Sequence, residues 1–101
     1  MFDKGFDPTL FESIDKVLVA TLGKNVVLAL YYQTGIPKNE LHQRPLEVIQ
    51  HLKTMLGEVG FRVIERPIIS EIRARFEISD NVHDMQEAIE TAKRNYLQGS
   101  L

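Results

Sequence analysis

Cysteine is absent from this sequence of 101 residues. Its absence excludes a disulfide framework, a thiolate nucleophile and a zinc site of the common cysteine type. Apolar residues make up 44% of the chain and charged residues 26%, which are ordinary values for a globular protein and argue against disorder. The length suits one domain over residues 1–101, because about 100 residues can close a single hydrophobic core.

Long apolar runs are also missing, and no segment reaches the ~18 consecutive apolar residues of a transmembrane helix. The first residues, MFDKGFDPTLFES, carry acids and a proline where a signal peptide is basic and then apolar, so we expect a cytoplasmic protein without a membrane partner. A net charge of −2 provides no bulk attraction to nucleic acid or anionic lipid, although a local basic face can still form.

Apolar spacing in the first third of the chain predicts two helices. In the first, residues 8–22, Asp7 is the expected N-cap, Pro8 occupies the first turn, and Gly23 ends the helix. The next segment, residues 24–34, is apolar on almost every side, and such a helix is normally buried on most sides. Together these residues form a first helical unit, 8–34.

A second helical unit is expected over residues 45–78. Pro45 suits the first turn of a helix that ends at Gly57, and apolar residues then recur every three or four positions from Gly60 onward. Pro67 lies within this second run, and we expect it to kink or restart the helix.

The two units contain similar corner sequences, TLGKNVVLAL and MLGEVGFRVI. Aligning Leu22-Gly23 with Leu56-Gly57 also matches apolar positions on both sides of each glycine. We therefore predict an all-α fold of five or six helices, with two helix-corner-helix units packed together and a C-terminal helix as a lid. The alternative is that any two amphipathic helices ending in Leu-Gly would align this well.

The C-terminal helix is expected over residues 80–98, with Ser79 or Asp80 as its N-cap. It carries a narrow apolar seam that a second copy of the chain could cover, which makes a homodimer the predicted assembly. The alternative is that this seam covers the chain's own core. The residues of the seam, the candidate interaction surface, are Val82, Met85, Ile89, Ala92 and Tyr96.

Residue types that carry catalysis do not cluster in the sequence. The histidines lie in three separate segments, and only His83 has a carboxylate, Glu87, at the helical spacing of a metal site. Two ligands are too few for tight zinc binding. We therefore predict no enzymatic activity, no catalytic residues, no metal and no cofactor.

Two other features could form a binding surface. The arginines Arg62, Arg66 and Arg73 share one helix face, where they could hold backbone phosphates; the alternative is a solvated helix flank, since Glu65 and other acids are interleaved. Tyr31-Tyr32 end the second helix, and we expect one ring in the core and the other lining a groove that could bind a ligand.

One resemblance concerns LALYYQTGIPKNELHQRPLEVIQHLKTMLGEVGFRVIERP, which is similar in rhythm to the winged helix-turn-helix of small transcription regulators. It implies a recognition helix followed by a β-wing. The spacing after Gly60 nevertheless predicts a helix. The DNA contacts under this alternative are Arg44, Gln50, Lys53, Arg62 and Arg66.

A second resemblance covers about residues 10–78. The segments LFESIDKVLVATLGKNVVLALYYQ and RPLEVIQHLKTMLGEVGFRVIERPIISEIRARFEI resemble the small archaeal helical domains called Nitrosopumilus-type output domains. Such domains are regarded as output or interaction modules of signalling proteins, and no catalytic residues are defined for them. The resemblance implies an archaeal source and a regulatory role. We expect a non-enzymatic, self-associating interaction module with Leu52 in its core.

Overall fold

The computed structural model describes residues 5–99, and within that range the protein is mostly helical, with no strand. The predicted all-α fold with five or six helices is confirmed. The described part of the chain contains four α-helices and one 3-10 helix: α1 (Phe6–Leu22), α2 (Lys24–Thr34), the 3-10 helix (Lys38–Gln43), α3 (Pro45–Phe76) and α4 (Met85–Gly99).

Two glycine corners divide the helical chain. Gly23 separates α1 from α2 with φ 87° and ψ 151°, and Gly57 interrupts α3 with φ 73° and ψ 174°. Both glycines therefore adopt nearly the same backbone conformation, one that is essentially closed to residues with a Cβ atom. The repeated Leu-Gly of the sequence thus corresponds to a repeated corner. Pro67, by contrast, lies in helical conformation, so α3 restarts at Gly57 and not at Pro67.

The core lies mainly between α1 and α3, which pack together more extensively than any other pair of elements. Leu10, Ile14 and Leu18 of α1 are fully buried at a spacing of four residues, so they form one stripe along the helix. On α3, Leu52 is 0% exposed, as expected, and the stripe continues beyond the Gly57 corner. Its fully buried members there include Ile64, Ile68 and Ile72.

The starts of α1 and α4 differ from the sequence predictions. Helix α1 begins at Phe6, with Gly5 in the N-cap position, so Asp7 is inside the first turn and is not the cap. Helix α4 begins at Met85 and not at residue 80. Its cap is Asp84, whose Oδ2 accepts a hydrogen bond of 3.0 Å from the Glu87 amide.

Ser79, one of the two N-cap residues predicted for α4, instead stabilises a turn in the loop before that helix. The Asn81 amide donates to Ser79 Oγ at 3.2 Å, and the Val82 amide donates to the Ser79 carbonyl. At the end of α3, Glu77 takes the left-handed conformation, φ 54° and ψ 52°, and the Ile78 amide donates to the Arg73 carbonyl at 2.9 Å. This is a Schellman ending with glutamate where glycine is usual.

Candidate functional site

An open apolar groove of about 770 Å³, here named the tyrosine groove, lies between α1, α2 and the 3-10 helix. It is lined by Phe11 and Asp15 of α1, by three residues of α2, and by residues 35–38, 41 and 42. The three α2 residues are Leu28, Tyr31 and Tyr32. A groove of this size and apolar character falls in the range of ligand and peptide sites.

The end of α2 shapes one wall of the tyrosine groove. Gly35 ends the helix in the left-handed conformation, φ 75° and ψ 0°. The buried Thr34 hydroxyl donates to the Tyr31 carbonyl at 2.6 Å and accepts from the Ile36 amide at 3.1 Å. These bonds satisfy the backbone at the turn, so Ile36 can be buried while Pro37 starts the 3-10 helix at the groove's edge.

Tyr31 and Tyr32 take the two different roles that the sequence predicted. Tyr31 is 7% exposed, and its phenol donates to Asp15 Oδ1 at 2.7 Å. Burial, together with this hydrogen bond, raises the pKa of Tyr31, so the phenol stays protonated at neutral pH. Its ring lies 5.5 Å from that of Phe11, which in turn lies 4.6 Å from the His42 ring. Tyr32 is 89% exposed.

Helix α2 is less buried than its composition suggested. Only Val27, Tyr31 and Thr34 of this helix are buried, so the expectation of burial on most sides is wrong. Leu28 is 50% exposed beside Tyr32, one helical turn away on the same face. This face forms the rim of the tyrosine groove, so Leu28 and Tyr32 border the groove instead of filling the core.

The C-terminal seam, in contrast, is covered by the chain itself. Val82, Met85, Ile89 and Ala92 are all buried among the core residues. The Tyr96 ring packs 5.8 Å from that of Phe6, which also contacts Phe76 at 5.4 Å. The seam therefore closes the intramolecular core, as the alternative interpretation had it, and it does not present a free surface to a second copy.

The residues predicted to contact DNA lie in three different places: before α3, on the first part of α3 and on the second part of α3. Arg44 is paired on both sides, with Nε donating to Glu47 at 2.9 Å and Nη1 donating to Glu40 at 3.2 Å. This arginine lowers the pKa of Glu47 mainly through their hydrogen bond. Gln50 and Lys53 are exposed on the first part of α3, with the Lys53 ammonium 5.4 Å from the Phe61 ring centroid. The residues after Gly57 are helical up to Phe76, as their spacing predicted, and the β-wing that the first resemblance implied is absent from the described residues.

Arg62 and Arg66 do meet in one place, here named the basic groove. It has a volume of about 640 Å³ and is lined by residues of the second part of α3 and by His83 of the following loop. The α3 residues are Arg62, Glu65, Arg66, Ile69 and Arg73. Arg75, the fourth arginine of this stretch, turns away and lies 3.9 Å from Glu12 on α1. Sequence spacing thus grouped three of the four arginines correctly.

No three histidine or carboxylate side chains within residues 5–99 come together in a way that could hold a metal ion. In the same range no helix has both the length and the apolarity required to span a bilayer. Comparison with known protein families, with curated proteins and with solved structures finds no match for this chain. The tyrosine groove and the basic groove are the candidate functional sites.

Proposed function

We propose that this protein is a small, non-enzymatic protein–protein interaction module whose tyrosine groove binds an amphipathic helix of a partner. The observation that carries the proposal is the exposure of Tyr32, 89%, and Leu28, 50%, along the rim of an apolar groove. Large apolar side chains that border a groove are a recognised mark of an interaction site. Covering them would contribute about 25 cal/mol for each Å² of apolar surface removed from water.

The chemistry of the groove favours binding over catalysis. Its Asp15 carboxylate and its Tyr31 phenol are hydrogen-bonded to each other at 2.7 Å. Because the pKa of Tyr31 is raised, this phenol is a poor nucleophile or base at neutral pH. The His42 ring is engaged against Phe11. These three groups are therefore suited to shaping the surface of the groove, and not to chemical catalysis.

The shape and charges of the groove favour a helical occupant. Leu28 and Tyr32 form a short ridge one helical turn long, which matches the spacing of apolar anchors on an amphipathic helix. Asp15 lines the groove from α1, and Lys38 lines it from the 3-10 helix. We expect a partner helix whose apolar anchors are flanked by a basic residue near Asp15 and an acidic residue near Lys38, because complementary charges set register and orientation.

The proposed cellular setting comes from the sequence-based expectations. The resemblance to archaeal output domains supports a role in signal transduction, and the proposal includes a cytoplasmic setting for that role. A homodimer stays a prediction. The seam is buried, so a second copy of the chain would have to use another surface, such as the tyrosine groove.

The test is a selection from a displayed library of amphipathic helices that each contain one tryptophan. The protein itself has no tryptophan, so emission from the peptide reports binding directly. Selected peptides should bind the wild type and should lose about ten-fold or more in affinity on Tyr32→Ala or Leu28→Ala, since anchor residues carry most of the binding energy. The matched control is Val63→Ala, which removes an apolar side chain that is 61% exposed on α3, outside the groove.

Two results would contradict the proposal. One is a selection that yields no peptide with measurable affinity for the folded protein. The other is a set of peptides whose binding falls as much on Val63→Ala as on Tyr32→Ala, because such peptides would be recognising exposed apolar residues in general.

A further inference from the structure

The basic groove concentrates positive charge on an otherwise acidic molecule. Three guanidinium groups and one carboxylate line it, which leaves two positive charges before His83 is considered. The whole chain carries −2, so the rest of the chain carries about −4 on the same arithmetic, with histidines neutral. Clustered arginines are the side chains that proteins use most often to bind phosphate groups.

Arg73 is held in place as a fixed donor. Both of its Nη1 hydrogens are directed to backbone carbonyls of the loop before α4, at 3.0 Å to Asp80 and 3.1 Å to Val82. A guanidinium has five N–H donors, so three remain on Nε and Nη2. The loop therefore fixes the orientation of this arginine while leaving most of its donors for an anion.

Arg66 and Arg62 supply charge further along the groove. Arg66 is exposed and makes no hydrogen bond or ion pair within residues 5–99. Arg62 is exposed, and among the described residues its one bonded partner is Glu58, at 3.0 Å, in a pair that solvent screens. An exposed pair of this kind exchanges its partner at little cost, so Arg62 can turn to a more highly charged ligand.

The spacing of the arginines indicates the size of the anion. Arg62 and Arg73 are eleven residues apart on one helix, or about 16 Å along its axis. One phosphate group is too small to engage the whole row, whereas a chain of phosphates can contact several members. The buried Ile69 at the same groove offers an apolar contact for an attached organic group. The surrounding acidic surface disfavours a long polyanion.

We propose that the basic groove binds a small ligand with two or more linked phosphate groups, through Arg62, Arg66 and Arg73. The ligand can be an inorganic oligophosphate or a nucleotide, since both offer the same phosphate chain. Glu65 lies in the groove as the one opposing charge. It limits affinity for the phosphates and is available to accept a hydrogen bond from a hydroxyl or amino group of an organic ligand.

The experiment is isothermal titration of the full chain with inorganic tripolyphosphate and, separately, with adenosine triphosphate. Arg62→Gln and Arg66→Gln should each weaken binding about ten-fold, which is the usual effect of one lost charge-assisted hydrogen bond. Both side chains are exposed, so neither change should alter the circular dichroism spectrum or the melting temperature appreciably. Arg94→Gln is the matched control, because it removes one exposed arginine of α4 that does not line the groove.

Two further variants separate binding from structure. Glu65→Gln should tighten tripolyphosphate binding several-fold, because it removes the repulsive carboxylate; a structural role alone predicts no gain. Arg73→Lys keeps the charge but loses the planar guanidinium group with its paired N–H donors. Binding should therefore weaken more than ten-fold in protein that still melts cooperatively. Raising the salt from about 50 to about 200 mM should weaken every one of these interactions.

The outcomes are distinct. Tighter binding of adenosine triphosphate than of tripolyphosphate would identify a nucleotide as the ligand class, and the reverse would identify an inorganic oligophosphate. Equal losses on Arg66→Gln and Arg94→Gln would overturn the proposal, since they would reveal general charge attraction. No heat with either phosphate, or binding only to a duplex DNA or a phosphoserine peptide run in parallel, would overturn it as well.

Discussion

Replacing Gly57 by alanine tests how the fold turns its corner within α3. At φ 73° and ψ 174°, this residue occupies a backbone region that residues with a Cβ atom essentially never adopt. A Cβ atom built on Gly57 meets no atom within 4 Å, so the substitution adds no clash. The whole effect on stability should therefore arise from the backbone conformation, which makes the expected size simple to work out.

Two opposing contributions determine the magnitude. Holding alanine in this region costs about 3 kcal/mol, at the upper end for strained residues. Alanine also reduces the conformational freedom of the unfolded chain, which offsets about 0.4–1 kcal/mol of that cost. We expect Gly57→Ala to lower the free energy of unfolding by about 2 kcal/mol. Gly23→Ala should have a similar effect, since its dihedral angles are similar and its added Cβ also meets nothing.

Urea denaturation followed by circular dichroism at 222 nm measures this loss, and the slope m should stay unchanged. Gly35→Asn is the control. Gly35 lies in the ordinary left-handed region, φ 75° and ψ 0°, which asparagine tolerates, so this change should cost less than about 1 kcal/mol. A loss below about 0.5 kcal/mol for Gly57→Ala would refute the reasoning, because α3 would then run without the corner.

Substitutions at three more positions test the core, the end of α3 and the buried phenol. Leu52 is 0% exposed, so Leu52→Ala should lower the free energy of unfolding by about 2–5 kcal/mol and Leu52→Asp should prevent folding. A folded aspartate variant would contradict the assignment of Leu52 to the core. Glu77→Gly should raise the free energy of unfolding by about 0.5–1 kcal/mol in the same urea assay, by relieving a left-handed glutamate; a loss would be incompatible with the Schellman ending. Tyr31 has a raised pKa in the folded state, so above about pH 10 its phenol ionises more readily in the unfolded chain than in the folded protein. The contribution of the protonated phenol to the free energy of unfolding is therefore complete below about pH 10 and falls above it by about 1.4 kcal/mol per pH unit. The difference in unfolding free energy between the wild type and Tyr31→Phe should therefore decline above pH 10, whereas a constant difference would mean an unshifted phenol.

Local sequence signals were most reliable where one residue type determines the backbone. Gly23 and Gly57 end helical segments because a left-handed φ is easy only for glycine, and the pair could be identified from the repeated Leu-Gly alone. Pro45 begins α3 as predicted, since the first helical position needs no amide donor. Pro67 does not restart the helix, because a helix that packs a buried stripe on both sides of a proline can tolerate the lost hydrogen bond.

Capping could not be predicted from single residues. Ser79, Asp80 and Asp84 are all good N-cap residues, and sequence alone favoured the first two. The structure uses Asp84, which has Glu87 three positions later, the spacing of a capping box. That spacing was visible in the sequence and would have placed the start of α4 correctly. The additional turn allows Val82 to be buried before the helix begins.

Surface exposure was the least predictable property, since it depends on what packs across from each residue. Periodicity could not show whether the C-terminal seam faces the core or a partner, and it overestimated the burial of α2. The tyrosine groove was anticipated only through Tyr31-Tyr32. Phe11 and Asp15 were missed because they are distant in sequence from α2, and Leu28 because it was assigned to the core.

The most direct test of the proposed interaction module is a map of amide chemical shifts in labelled protein, recorded as a selected helical peptide is added. We predict that the shifts concentrate on α2 and residues 35–42, with Tyr32, Gly35 and His42 among the most affected. Amides of the control surface around Val63 should remain unchanged. Shifts that spread evenly over the molecule, or that centre on α4, would contradict the assignment of the tyrosine groove as the interaction site.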